Sequence, residues 1–433
     1  MRSVRFFFLL GSITLAACTA APVAENSADE DDDGTSATTG KPPPKAPGGT
    51  TSSPDDEPTD PASPAGPTCA SGPLPTVDTT ALDPFFTAQM QKAKVPGLSV
   101  AVVGKGHIKW AKAYGVADIA ENKPVTTDTL FMLASVSKTV TAVALMKLFE
   151  DPALGLSLDQ DVDAKLPFKV RNPRFPDVPI TFRMLLTHTS SLIDSDAYWA
   201  LATPEPLVQG DSPIALLDFD RDYVAKNDSW ARTRPGTTFA YSNTGASLIG
   251  LLVEKISGKN LQDYSKAKIF DPLGMTESSW FLKGLDTTHI AMPYRGTPAS
   301  ATGHYGYPDY PAGQLRTSAP QLARFLLMFA QKGTCGQRVL AETTVNEMEK
   351  IQVPAVDGTQ GLVWYYDTKG GTKVLGHNGG DQGVSTDMFF DPATGSGYVL
   401  LSNGSTNVDG SSAAQAAMDA MNAKLVELSK TLP

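Results

Sequence analysis

Cysteine and histidine are scarce in this chain, three and five among 433 residues. No H-E-x-x-H run or cluster of histidines occurs, which speaks against a metallohydrolase. A G-x-S-x-G elbow is also missing, which speaks against a Ser-His-Asp hydrolase of the α/β type. Basic charge is not in excess, 36 Lys+Arg against 46 Asp+Glu. Without a clustered basic face, nothing points to a nucleic-acid partner. The apolar stretch from Phe6 to Ala17 has twelve residues, too short for a stable bilayer span, which needs about 20. Internal repeats are absent as well.

What remains is an acidic chain whose charge is unevenly placed. Ten acids and two lysines fall between Thr19 and Gly72, so that from residue 73 onward the net charge is only −4. That is an ordinary globular surface. The start reads as a targeting segment: Arg2 and Arg5 precede the apolar stretch, which closes on Leu15-Ala16-Ala17-Cys18. This ending resembles a bacterial lipobox, making residues 1–18 a lipoprotein signal region, and implies cleavage just ahead of Cys18, which is left as the lipidated first residue. An ordinary secretory peptide cut after Ala20 or Ala21 is the alternative. On the lipobox reading the protein is exported and anchored to the cell envelope, periplasmic or on the outer surface. It meets the membrane through the lipid alone. Cys69 and Cys335 then remain as an even pair in an oxidising compartment; they form either a disulfide or two free thiols.

Residues 19–74 are rich in Ala, Pro, Ser, Thr, Gly and Asp without apolar periodicity. Such a segment cannot bury enough apolar surface to offset its ordering entropy, and reads as a disordered tether. Residues 75–430 read as one globular domain. An amphipathic helix is expected over 78–94, stopped before Pro96. Leu98 to Val103 and His107 to Tyr114 flank Gly104-Lys105-Gly106 as a β-hairpin. The middle, about 128–330, carries mostly helical pattern. Strand signals return at Leu362–Asp367, Thr372–Leu375, Val384–Phe390 and Tyr398–Ser402, and 413–428 is helical again. Strands at both ends around a helical middle imply an α+β fold (α/β in the broad sense). It would be an antiparallel sheet flanked by helices, with an inserted all-α lobe. The two terminal helices are expected to pack together on one sheet face.

The chemistry concentrates in three places. Ser135-Val136-Ser137-Lys138 leads into an apolar helix, so that Ser135 and Lys138 share a face. The helix N-terminus there favours developing negative charge. A serine hydroxyl becomes a nucleophile when a neighbouring base takes its proton. Tyr241-Ser242-Asn243 supplies a phenol that can relay a proton. His377-Asn378-Gly379-Gly380, at the end of an expected strand, can present a backbone N–H to an oxyanion. S-x-x-K alone is weak; the combination is not.

With these motifs the chain resembles the penicillin-recognising serine hydrolases: class C β-lactamases, D-alanyl-D-alanine carboxypeptidases and β-lactamase-like esterases. The likeness covers about residues 77–428. It extends to Phe131-Met132-Leu133-Ala134, Leu185-Leu186-Thr187-His188-Thr189-Ser190-Ser191-Leu192 and Pro272-Leu273-Gly274-Met275. The resemblance implies a β-lactamase/transpeptidase-like fold, an acyl-enzyme on Ser135, deprotonation by Lys138 and a proton shuttle at Tyr241. Asn243 and Asn378 would face substrate, Gly379 would form part of the glycine edge, and Ser135 and Gly380 would donate the oxyanion N–H groups. No cofactor is implied, and a monomer is expected. The third motif departs from the lactamase form, which has lysine where this chain has His377. Histidine is only partly charged near pH 7, so capture of a substrate carboxylate should be weaker. That favours an ester or amide substrate, a small molecule or peptide, with β-lactams as the alternative. A non-catalytic binding protein on the same fold is the rival of another kind. His188 reads as structural; His107, His289 and His304 read as surface or loop residues. Trp364 and Tyr365 are either core or cleft lining, and Arg316 either a surface ion pair or a substrate contact.

Overall fold

The computed structural model describes residues 69, 77, 78 and 80–433 apart from 407–410. Cys18 and all of residues 1–74 except Cys69 lie outside the described residues. Seven strands form one antiparallel sheet. In chain order they are β1 (Gly97–Gly104), β2 (His107–Asp118), β3 (Lys123–Pro124), β4 (Tyr365–Lys369), β5 (Thr372–Asp381), β6 (Val384–Asp391) and β7 (Ser396–Ser402). Across the sheet they run β4-β5-β6-β7-β1-β2-β3. The two ends of the domain meet at β1 and β7, with Val100 opposite Leu400. The β1–β2 turn has φ of 52° at Lys105 and 82° at Gly106, the left-handed pair that suits a two-residue hairpin.

Alternation along the strands sorts the core into two layers. Leu98, Val100, Val102, Tyr398 and Leu400 face the terminal helices α1 (Leu82–Ala93) and α5 (Ser412–Thr431). These helices pack against each other on that face. Ala101, Val103, Val399 and Leu401 face the opposite way, toward helix α4 (Ala319–Ala330) and the rest of the main core. Lys109 of β2 fastens the end of α5, its Nζ donating to the carbonyls of Ser429 and Leu432 at 3.0 and 2.8 Å. A lysine suits the orphan carbonyls of a helix C-terminus.

The segment between β3 and β4 builds a mainly helical lobe. Its centre is helix α2 (Ser137–Phe149), buried on nearly every face. That is why its sequence is apolar all round rather than striped. Helix α3 (Asn243–Ser257) packs directly on it. Cys69 and Cys335 are joined in a disulfide, with Cα atoms 4.9 Å apart across 266 positions of sequence.

Three boundaries differ from the sequence reading. Helix α1 opens at Leu82 rather than at residue 78. Pro84 lacks a backbone donor, which only a first turn leaves unused. Leu362, Val363 and Trp364 lie outside the strand, because Val363 adopts a φ of 70° that breaks extended backbone. Finally, β5 continues past Leu375 to Asp381. Its glycines lower strand propensity, but pairing to β6 carries it through.

Candidate active site

Ser135 lies in a 3-10 turn, Ala134–Val136, just ahead of the α-helix that begins at Ser137. Ala134 has a φ of 47°, a left-handed conformation that residues with a Cβ seldom adopt. Strain of this kind persists where surroundings over-determine it, and here they do. Leu133 N–H donates to the Leu315 carbonyl at 2.8 Å. The Leu133 carbonyl accepts from Thr386 Oγ1 of β6 at 2.7 Å. Ser137 Oγ accepts from Leu315 N–H at 3.2 Å. The turn is clamped between the sheet and the 310–315 loop.

Lys138 is 1% exposed. Its Nζ lies 3.0 Å from Ser135 Oγ, 2.6 Å from Asn243 Oδ1 and 2.7 Å from the Ala312 carbonyl. The last two partners can only accept. A neutral amine would therefore spend both N–H bonds on them and aim its lone pair at Ser135 Oγ. Tyr241 OH is 2.8 Å from the same Oγ, and Lys138 Nζ sits 5.0 Å from the centre of the Tyr241 ring. Ser135, Lys138, Tyr241 and Asn243 thus converge in one cluster. An amine and a phenol both lie within hydrogen-bond reach of one hydroxyl oxygen.

The third motif lies beside them. Strand β4 stops opposite Gly376, so from His377 onward the outer edge of β5 has no strand partner. The Ser135 turn packs over the Gly379 face: a Cβ built on Gly379 would lie 2.4 Å from the Leu133 carbonyl and 3.0 Å from Ser135 N. Only glycine lets the strand come this close. Gly380 follows on the same free edge.

His377 faces Tyr241, with ring centres 6.3 Å apart. It is 3% exposed, and burial together with the Lys138 charge pushes its pKa down to about 3. Its Nδ1 is 2.5 Å from the Asn378 carbonyl, a contact that requires a proton on Nδ1 and leaves Nε2 as acceptor. The expectation of a partly charged histidine is corrected: the imidazole is neutral at physiological pH because it is desolvated beside a cation. The Asn378 side chain does not join the cluster. By strand alternation it points away from the His377 face, and its Oδ1 accepts from Tyr365 OH at 2.7 Å.

Other residues fall as the chain's packing dictates. His188 lies inside the fold beside the Tyr241 segment. It is buried with its pKa held low, first by desolvation and then by Lys138. Its Nδ1 accepts from Ser242 N–H at 3.2 Å, and its ring lies 4.5 Å from that of Tyr241. Trp364 belongs to the core, stacked 3.8 Å from Phe329; Tyr365 meets the His377 ring at 5.3 Å. Arg316 is neither an ion pair on the surface nor a cleft residue. It is 2% exposed and donates to the carbonyls of Tyr305 and Gln314.

Sequence reasoning missed two acids, Asp194, which is half-buried, and Asp309, which is buried. Asp194 receives the N-terminus of α3; burial raises its pKa while the Asn243 and Thr244 amides pull it back. Asp309 is raised to about 7, chiefly by burial, with Tyr198 OH donating to it at 2.6 Å. Neither acid stands in a motif that would have set it apart in the sequence. Among the described residues no group of His, Cys, Asp and Glu is arranged to hold a metal ion. No helix among them is long and apolar enough to cross a membrane.

An antiparallel sheet backed by paired terminal helices, with a helical lobe bringing serine, lysine and tyrosine together, is the β-lactamase/transpeptidase fold. The beta-lactamase family model matches residues 82–422; the chain belongs to that family. Protein flp of Staphylococcus aureus strain N315 is 24% identical over 325 residues, 74% of this chain and 62% of the relative. The chain thus spans less than two thirds of the length of that relative. Penicillin-binding protein 4* of Bacillus subtilis is 32% identical over 209 residues, 48% of this chain and 43% of the relative. The octameric penicillin-binding protein homologue from Pyrococcus abyssi superposes with a TM-score of 0.65 at 28% identity, covering 80% of this chain and 77% of its own. D-amino acid amidase from Ochrobactrum anthropi gives 0.66 at 21% identity, covering 82% and 99%; at that identity it speaks for the fold alone.

Proposed function

We propose that this chain is an exported serine hydrolase that cleaves an ester or amide through an acyl-enzyme on Ser135. One observation carries the reading: Lys138 Nζ and Tyr241 OH both lie within hydrogen-bond reach of Ser135 Oγ, at 3.0 and 2.8 Å. In the reaction Ser135 Oγ attacks the acyl carbon as its proton passes to Lys138. The carbonyl oxygen becomes an oxyanion facing the N–H groups of Ser135 and Gly380. Tyr241 gives its proton to the leaving alcohol or amine and is reprotonated by Lys138, so that Lys138 is again a neutral amine when the same groups activate the deacylating water. Asn243 holds Lys138 through Oδ1, so only its amide nitrogen is left to offer substrate.

The neutral His377 supports an uncharged acyl substrate. Where lactamases place a lysine, this chain has the neutral His377, so that position offers a substrate carboxylate no cation. An ester or simple amide needs none, whereas β-lactams and D-alanyl-D-alanine peptides carry that carboxylate. The likeness to penicillin-binding protein 4* keeps D-peptides as the second reading. Purified protein should be labelled at Ser135 by a fluorophosphonate, and the Ser135→Ala variant should not be. On a panel of p-nitrophenyl esters, nitrocefin and D-Ala-D-Ala peptides, esters should give the highest kcat/KM. Labelling of Ser135→Ala at the wild-type rate would end the nucleophile assignment. Nitrocefin as the best substrate would end the ester reading.

A further inference from the structure

The segment Leu185–Leu192 stands out in sequence, yet none of its side chains enters the proposed chemistry. It leads directly to Asp194, whose half-buried carboxylate lies under the start of α3. Four donors converge on it: Ser242 Oγ at 3.2 Å, Asn243 N–H at 2.8 Å, Thr244 N–H at 3.2 Å and Thr244 Oγ1 at 3.2 Å. This is more than an ordinary cap, because Ser242 already caps α3 through Gly245 N–H at 3.0 Å. The preceding residues are tied to the same segment. Ala240 N–H donates to the His188 carbonyl at 2.8 Å, Gly236 N–H to the Thr189 carbonyl at 2.7 Å, and Ser242 N–H to His188 Nδ1 at 3.2 Å.

We infer that Asp194 is a positioning residue, whose carboxylate sets Tyr241 and Asn243 against Ser135 and Lys138. The inference rests on the acyl-hydrolase reading above. A carboxylate at a helix N-terminus is held by both hydrogen bonds and the helix dipole. It is acceptor-only, so it can take all four donors at once. Asparagine cannot: one of its two ends is an NH2 that would face an N–H donor. Rotating the start of α3 by even a small angle moves the Tyr241 hydroxyl and the Asn243 side chain together. Misplacements of about 1 Å can cost on the order of 100-fold in rate.

The test is a double-mutant cycle on fluorophosphonate acylation of Ser135, with the melting temperature measured for every variant. Asp194→Asn should slow acylation by roughly 30-fold or more in the wild-type background. In a Tyr241→Phe background the same change should cost at least threefold less, since the residue it positions is gone. Thr244→Val removes one of the four donors from the other side and keeps the shape of the core. It should slow acylation by about 3- to 10-fold, and stands in if Asp194→Asn fails to fold. Full additivity of Asp194 and Tyr241, or Thr244→Val acylating at the wild-type rate, overturns the inference. A wild-type protein that is not labelled at all overturns the acyl-hydrolase reading and this inference with it. A labelled wild type with an unaffected Asp194→Asn overturns this inference alone.

Discussion

Replacing Gly379 with alanine tests how tightly the sheet and the nucleophile are fitted together. The new methyl would sit 2.4 Å from the Leu133 carbonyl, 2.4 Å from Thr386 Oγ1 and 3.0 Å from Ser135 N. The first and last of these are backbone atoms of the serine turn and cannot swing aside. Thr386 could rotate, but it would surrender its 2.7 Å bond to the Leu133 carbonyl, which helps hold the strained Ala134. Either β5 or the turn must therefore shift, and both are to supply the oxyanion donors. Losing one such donor costs about 2.7–4 kcal/mol in the barrier, or roughly 100- to 1000-fold in rate. Overpacking adds a stability loss of about 1–3 kcal/mol. Stopped-flow acylation with an activated ester and a thermal melt would read both effects. Gly358→Ala is the control, because nothing lies within 4 Å of its added methyl. If Gly379→Ala acylates within threefold of wild type at an unchanged melting temperature, the proposed coupling of strand and turn is wrong.

Two further outcomes follow from buried and N-terminal groups. Asp309 is raised to about 7 from a usual 3.8, so its contribution to stability is present below the unfolded value and is lost as pH rises through about 7. Asp309→Asn, which mimics the protonated form, should accordingly melt higher relative to wild type at pH 8 than at pH 5; an equal difference at both would refute burial as the cause. We propose, from the lipobox resemblance, that Cys18 carries a lipid anchor; Cys18→Ser should then move the protein from the membrane fraction to the soluble one, and unchanged fractionation would refute the anchor.

The motif residues were legible in sequence because acyl transfer demands particular functional groups and helical spacing places two of them together. Ser135 and Lys138 lie three residues apart at a helix start, and no tertiary information is needed to put them on one face. The hairpin around Lys105-Gly106 and the paired terminal helices also followed from local turn chemistry and pattern; the sequence left Cys69 and Cys335 open between a disulfide and two free thiols, and the fold joins them. The charge on His377 did not. A histidine titrates according to its desolvation and its neighbours, and only the fold buries it beside Lys138. Asp194 and Asp309 stayed hidden for the same reason: an isolated acid in sequence reads as a solvated one until packing shows otherwise. The strand through Gly376, Gly379 and Gly380 was truncated in the reading because its glycines lack intrinsic strand preference; pairing with β6 and contact with the Ser135 turn create it. Sequence alone determined which chemical groups are present and which of them are neighbours along one helix. Tertiary structure decided their protonation, their orientation and the close approach of β5, since each depends on burial and on contacts between segments more than a hundred residues apart.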